Sequence, residues 1–177
     1  MRVSDLDLLF VPDTGPVPPD HWIARWSTKL STARLIAAID PQATPSALIA
    51  AATRAQRPTL LIGYSTGAVA VALAAEALRE ANVRGAFLVA PPSDETLATL
   101  DGGVWSGLPR ERLPWPSVLV VSRTDPWASH RQSLALASDW GADFIDAGEA
   151  GRIDADSGHG PWPDGLLRLG GFLKKLG

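Results

Sequence analysis

Gly63-Tyr64-Ser65-Thr66-Gly67 places a serine hydroxyl between two glycines, with an apolar run before it and an alanine-rich run after it. The run before it is Thr59-Leu60-Leu61-Ile62, and the stretch from Ala68 to Leu78 has helical character. A strand, a tight turn with serine at its tip and then a helix form the context that a G-x-S-x-G nucleophile elbow requires. Such a turn is crowded, and Gly63 and Gly67 bring no Cβ into it. The helix start sets backbone N–H groups and positive dipole charge beside Ser65 Oγ, where an oxyanion would form. The competing reading is an ordinary strand-to-helix turn, one that binds phosphate. The spacing fits neither G-x-G-x-x-G nor the Walker pattern, which weakens a nucleotide reading.

A nucleophilic serine needs an acid and a base. The apolar run Val118-Leu119-Val120-Val121 leads into Ser122-Arg123-Thr124-Asp125-Pro126-Trp127. An acid just past a strand end can reach the same sheet edge as Ser65, orient a histidine and stabilise its imidazolium. Asp-Pro ahead of a helix also suits an N-cap, and both jobs stand open for Asp125. The histidines are His21, His130 and His159. His130 falls early in the helix after Asp125 and reads as a surface residue. His21 lies in a helical stretch where a pocket or packing role fits best.

These residues need elements to hold them. Residues 6–11, 33–39, 59–62, 85–90, 118–122 and 142–146 read as strands. Residues 20–30, 44–54, 66–81, 127–140 and 165–176 read as helices, with Asp20 a candidate N-cap for the first. This alternation predicts an α/β fold: a mostly parallel sheet of about six strands with helices on both faces. Right-handed crossovers bring the loops after the strands to one edge, where ligands bind. Proline-rich pieces fall between the elements, and no linker or repeat divides the chain, so residues 1–177 read as a single domain.

Composition narrows the function class. The 177 residues are 46% hydrophobic and 20% charged, as in a globular protein with a substantial core. A net charge of −3 gives no push toward nucleic acid or anionic membranes. The absence of cysteine excludes disulfides, thiolate catalysis and cysteine-ligated metal, and no cofactor is called for. Acidic residues near the N-terminus do not suit a signal peptide, and a cytoplasmic setting is expected. Seven tryptophans read as packing and pocket residues, although those at 105, 115, 127 and 162 would also suit a binding surface.

Five separated blocks, in order, resemble the small serine hydrolases of the α/β-hydrolase superfamily related to retinoblastoma-binding protein 9. They are Asp20-His21-Trp22 with Arg25-Trp26, Gly63 to Gly67, Phe87-Leu88-Val89-Ala90-Pro91-Pro92, Ser122 to Pro126, and the stretch from Asp146-Ala147-Gly148-Glu149-Ala150-Gly151 through Ser157-Gly158 to Gly160-Pro161-Trp162-Pro163. The resemblance implies a minimal α/β-hydrolase fold, Ser65 as nucleophile, Asp125 as acid and a small-molecule acyl substrate. It also implies an oxyanion hole from the N–H groups of Thr66 and Asp13, although the family usually has glycine where Asp13 stands. A carboxylate there opposes a developing oxyanion unless it points away.

The family's base histidine follows the AGEAG-like segment, and here that position is Arg152. A guanidinium stays protonated and offers no acceptor lone pair, so it cannot take a proton from serine. Arg152 is expected to pair with Asp125 and leave Ser65 without a base. His159, seven positions downstream in the same loop, is the candidate replacement; the alternative is a solvated loop histidine. Two functions follow. One is an esterase-like serine hydrolase, impaired by the exchange at 152. The other is a degenerate hydrolase fold that binds a ligand or a protein partner in the old pocket.

Overall fold

A computed structural model describes residues 1–37 and 40–177. Among the described residues six strands form one parallel sheet: β1 (Asp7–Val11), β2 (Ala33–Leu35), β3 (Thr59–Tyr64), β4 (Val83–Val89), β5 (Ser117–Val121) and β6 (Asp143–Asp146), in the order β2-β1-β3-β4-β5-β6. The helices are α1 (Trp22–Lys29), α2 (Ala43–Thr53), α3 (Thr66–Ala74), a single turn α4 (Asp94–Leu97), α5 (His130–Trp140) and α6 (Pro163–Lys175).

The central strands are almost continuously apolar because both of their faces are covered. Leu8, Phe10, Leu60, Ile62, Phe87, Val89, Val118 and Val120 pack on one face with side chains of α1 and α6. The alternate residues Leu9, Val11, Leu61, Ala86, Leu88, Leu119 and Val121 pack on the other with α2, α3 and α5. This period of two is the strand geometry itself. Strand order reverses between β1 and β3, and the crevice at the carboxyl ends of those two strands is where such sheets place ligands.

Several boundaries differ from the sequence expectation. The first helix is capped by His21, not Asp20: His21 Nδ1 accepts from Ile23 N–H at 3.1 Å. The expected strand 33–39 forms over Ala33–Leu35, and Ile39 lies outside the described residues. The expected helix 66–81 is regular only to Ala74, after which tighter turns carry the chain to Ala81. The helix expected from 127 begins at His130, because Ser129 and Gln132 form a reciprocal capping box there. Trp105, Trp115 and Trp162 are buried in the core, so they do not present a binding surface. Among the described residues no helix is long and apolar enough to cross a membrane.

Candidate active site

Ser65 stands at the junction of β3 and α3 with φ 54° and ψ −123°, a backbone conformation costly for any side-chain-bearing residue. Neighbouring contacts hold it there. Its N–H donates to Val89 O at 2.9 Å, and α3 crosses close behind. A Cβ on Gly67 would sit 2.0 Å from Val11 O, and one on Gly63 2.7 Å from Ala68 Cα. The two glycines are therefore required by the approach of β1, β3 and α3 to one another. The first N–H groups of an α-helix lack i−4 partners, and in α3 that of Ala68 turns back to Ser65 O at 3.0 Å.

Arg152 is brought to Ser65 by a set of stitches between the loops after β5 and β6. Ala147 N–H donates to Val121 O, Arg123 N–H to Gly148 O, Ala150 N–H to Ser122 Oγ and Gly151 N–H to Thr124 Oγ1, all at 2.7–3.0 Å. Tyr64 Oη closes the set by donating to the carbonyl of Arg152 at 3.1 Å. Ser122, Thr124 and Tyr64 have no such role in the sequence reading, although all three lie inside the motifs it singles out.

The Arg152 guanidinium reaches the Ser65 hydroxyl directly. Arg152 Nη2 donates to Ser65 Oγ at 2.8 Å. Nη2 also lies 3.8 Å from Asp13 Oδ2, and Nη1 lies 3.8 Å from Asp125 Oδ1. The ring of Trp127 lies under the guanidinium carbon at 3.3 Å, a cation–π contact that no spacing rule announces. The Arg152 side chain is only 12% exposed, and Ser65 is fully covered. The expected pairing of Arg152 with Asp125 is therefore present, and the hydrogen bond to Ser65 comes in addition.

The two carboxylates are held differently. Asp125, 4% exposed at its side chain, accepts from Trp127 N–H at 2.8 Å in a local turn and does not cap α5. Burial pushes its carboxyl above the usual range, against the pull of that N–H and of Arg152. Asp13 accepts from the hydroxyl of Thr66 and from Thr14 N–H, so its charge is turned to donors beside the expected oxyanion position.

The histidines sit elsewhere. His159 Nδ1 lies 3.2 Å from Ser157 Oγ, and the backbone N–H of His159 donates to Asp154 O. Among the described residues no hydrogen bond joins His159 to Ser65 or Asp125. His130 Nε2 lies 3.5 Å from Asp146 Oδ2, away from Ser65. His21 is 5% exposed and packs on the Tyr64 ring at a centroid distance of 4.6 Å. With Asp13, Tyr64, Arg152 and Asp154 it lines a cavity of about 220 Å³.

Burial lowers the basicity of His21 below its usual 6.5, overriding the pull of Asp154, Asp13 and Asp20, while Arg152 adds to the lowering. Below that pH the unfolded chain binds a proton that the folded chain refuses. The contribution to stability is thus complete above about pH 6.5 and is lost as pH falls. Thermal melts should show a Tm that declines from pH 6.5 to pH 5, and His21→Asn, which keeps a cap, should flatten that decline.

The arrangement joins Ser65, Thr66, Asp13, Asp125 and Arg152 at one sheet edge and leaves His159 outside their hydrogen bonds. No curated protein sequence matches the chain. Among solved structures, a YdeN-like hydrolase from Pectobacterium atrosepticum is similar at 28% identity and a TM-score of 0.86, over 98% of this chain and 94% of its own. The ydeN gene product of B. subtilis shares the fold at 16% identity and TM-score 0.74, over 95% and 99% of the two chains. So does a thermophilic esterase from Thermogutta terrifontis, at 14% identity and TM-score 0.67, over 97% and 90%. A family model described as serine hydrolase matches residues 8–170, nearly the whole length, and the chain belongs to that family.

Proposed function

We propose that this chain carries the serine-hydrolase site in a form that binds small acyl compounds and turns them over poorly. In this reading Ser65 is the nucleophile on its elbow, Asp125 is the acid, and the N–H groups of Thr66 and Asp13 are the oxyanion donors. The resemblance to the hydrolases related to retinoblastoma-binding protein 9 supports those roles. The observation that carries the conclusion is the hydrogen bond from Arg152 Nη2 to Ser65 Oγ. Acyl transfer needs an acceptor for the serine proton as the C–O bond forms, and that proton later passes to the leaving group. A guanidinium can do neither. It is a fixed cation suited to holding a carbonyl or carboxylate oxygen near the serine.

Retention of the strained Ser65 and its glycines favours residual chemistry over a wholly inert fold. The expected result is slow labelling of Ser65 by a fluorophosphonate, located by peptide mass spectrometry, with hydrolysis of p-nitrophenyl acetate about 10³-fold or more below that of a serine hydrolase with an intact base. His159→Ala should leave that residual rate unchanged. Rapid turnover abolished by His159→Ala would overturn the proposal and make His159 the base.

A further inference from the structure

Among the described residues, Trp127 is the one tryptophan whose indole serves neither apolar layer of the sheet. Trp22, Trp26 and Trp162 are buried in the layer of α1 and α6, and Trp105, Trp115 and Trp140 in the layer of α2, α3 and α5. Trp127 belongs to neither and is half-buried. A large ring left near the surface forgoes much of the burial that stabilises it in a core. Its main chain is nevertheless pinned on both sides. Trp127 N–H donates to Asp125 Oδ1 at 2.8 Å, and Trp127 O accepts from Ser93 N–H at 2.9 Å, so the loops after β4 and β5 hold it between them. Pro126, directly before it, fixes a further backbone torsion.

This pedestal presents a flat ring to a flat cation. The Arg152 guanidinium carbon lies 3.3 Å from the centroid of the Trp127 ring and 5.8 Å from that of the Tyr64 ring. A guanidinium carries its donors around its edge and none on its faces, so stacking consumes no N–H. The edge stays free for oxygen atoms: Nη2 meets Ser65 Oγ at 2.8 Å, and oxygens of Asp13 and Asp125 stand at 3.8 Å. At 3.8 Å the carboxylates attract the cation but do not direct its N–H groups. Direction comes from the ring face and from the main-chain end of the residue, where Tyr64 Oη donates to Arg152 O at 3.1 Å. A long arginine side chain otherwise has many rotamers to lose.

We propose that Trp127 is a positioning residue: its indole holds the Arg152 guanidinium edge-on to Ser65, and through it sets the affinity of the site for the carbonyl oxygen of an acyl compound. Trp127 acts through Arg152 and not on the ligand. The second half of the proposal rests on the reading of the Ser65 site as one that binds acyl compounds, and the first half does not.

The test compares Trp127→Leu, an apolar side chain without a π face, with Trp127→Phe, which keeps one, in the wild-type and Arg152→Ala backgrounds. Because Trp127 lies outside both apolar layers, each variant should fold, as a thermal melt will show. In the first arm, NMR follows the Arg152 Nε–H signal, assigned by its loss in Arg152→Ala. The ring current of the stacked indole should displace it upfield. Trp127→Leu should return it to the range of solvated arginine, and Trp127→Phe should keep most of the displacement. In the second arm, hydrolysis of p-nitrophenyl acetate is measured after subtraction of the Ser65→Ala rate. Trp127→Leu should raise KM about threefold or more with kcat nearly constant, the pattern of lost ligand binding, and Trp127→Phe should stay close to wild type. In the Arg152→Ala background Trp127→Leu should have no further effect on KM, which a merely structural role would not explain. An Arg152 signal that ignores Trp127→Leu, equal behaviour of the leucine and phenylalanine variants, an unchanged KM, or a KM effect that persists without Arg152 would each overturn the proposal. Absence of Ser65-dependent hydrolysis in the wild-type protein would instead end the acyl reading, and the Arg152 signal alone then decides the positioning role.

Discussion

Arg152→His should raise esterase activity by about 10²-fold or more in kcat/KM for p-nitrophenyl acetate, the range that a positioned general base supplies. The substitution acts in two ways. It removes the donor now held by Ser65 Oγ, and it places an imidazole in the loop that the β5–β6 stitches hold against Asp125. Arg152→Ala separates the two effects, because it frees the serine but supplies no proton acceptor. The alanine variant should stay near the wild-type rate while the histidine variant rises. A bell-shaped or rising pH profile with an apparent pKa near that of histidine should appear only in the latter. Equal gains in both variants would mean that the guanidinium acts only as a plug. Removing the cation also leaves Asp125 and Asp13 without their shared partner. The Asp125 carboxyl should then move further above its usual range, and both variants should lose stability.

Gly67→Ala should be the most damaging small substitution in the chain. The added Cβ would meet Val11 O at 2.0 Å and Pro12 O at 2.5 Å, and both are backbone atoms of the neighbouring strand end. No side-chain rotation relieves that contact, so β1 and α3 must part. A loss of about 3 kcal/mol or more is expected, read as a lower midpoint in urea at constant m-value. Gly170→Ala serves as the control. It lies within α6 with open space around its Cβ position, and alanine there should raise stability by roughly 0.5–1 kcal/mol. Equal effects at the two positions would show that close packing at the turn does not govern stability.

The fold was legible because the strands carry long apolar runs separated by proline and glycine, and those runs are what a sheet covered on both faces demands. The boundaries that shifted did so for local reasons. His21 took the cap expected of Asp20 because an imidazole nitrogen accepts an N–H as a carboxylate does. The alanine-rich stretch after Ser65 kept its apolar character beyond Ala74 although its regular helix ended there, and periodicity alone does not mark that point.

The candidate site was legible in part. Ser65 and Asp125 announce themselves by their place after strands, and Arg152 by its place after Gly151. What spacing does not carry is side-chain reach: that the guanidinium extends to Ser65, lies flat on Trp127 and is shared by two aspartates. The acidity of the cavity was equally hidden, because Asp13, Asp20, Asp154 and Asp156 come from segments more than a hundred positions apart.

That separation has a consequence for how the molecule is made. Trp22 Nε1 donates to Ile153 O and Trp26 Nε1 to Pro161 O, across 131 and 135 positions, and Trp26 stacks on Trp162. During synthesis the first amphipathic helix emerges with its indole N–H groups bonded to water, and they exchange it for protein acceptors only after the loop that follows β6 has been made. The serine corner precedes its arginine cover by 87 positions in the chain, so a nascent chain passes through an interval in which that hydroxyl is open to solvent.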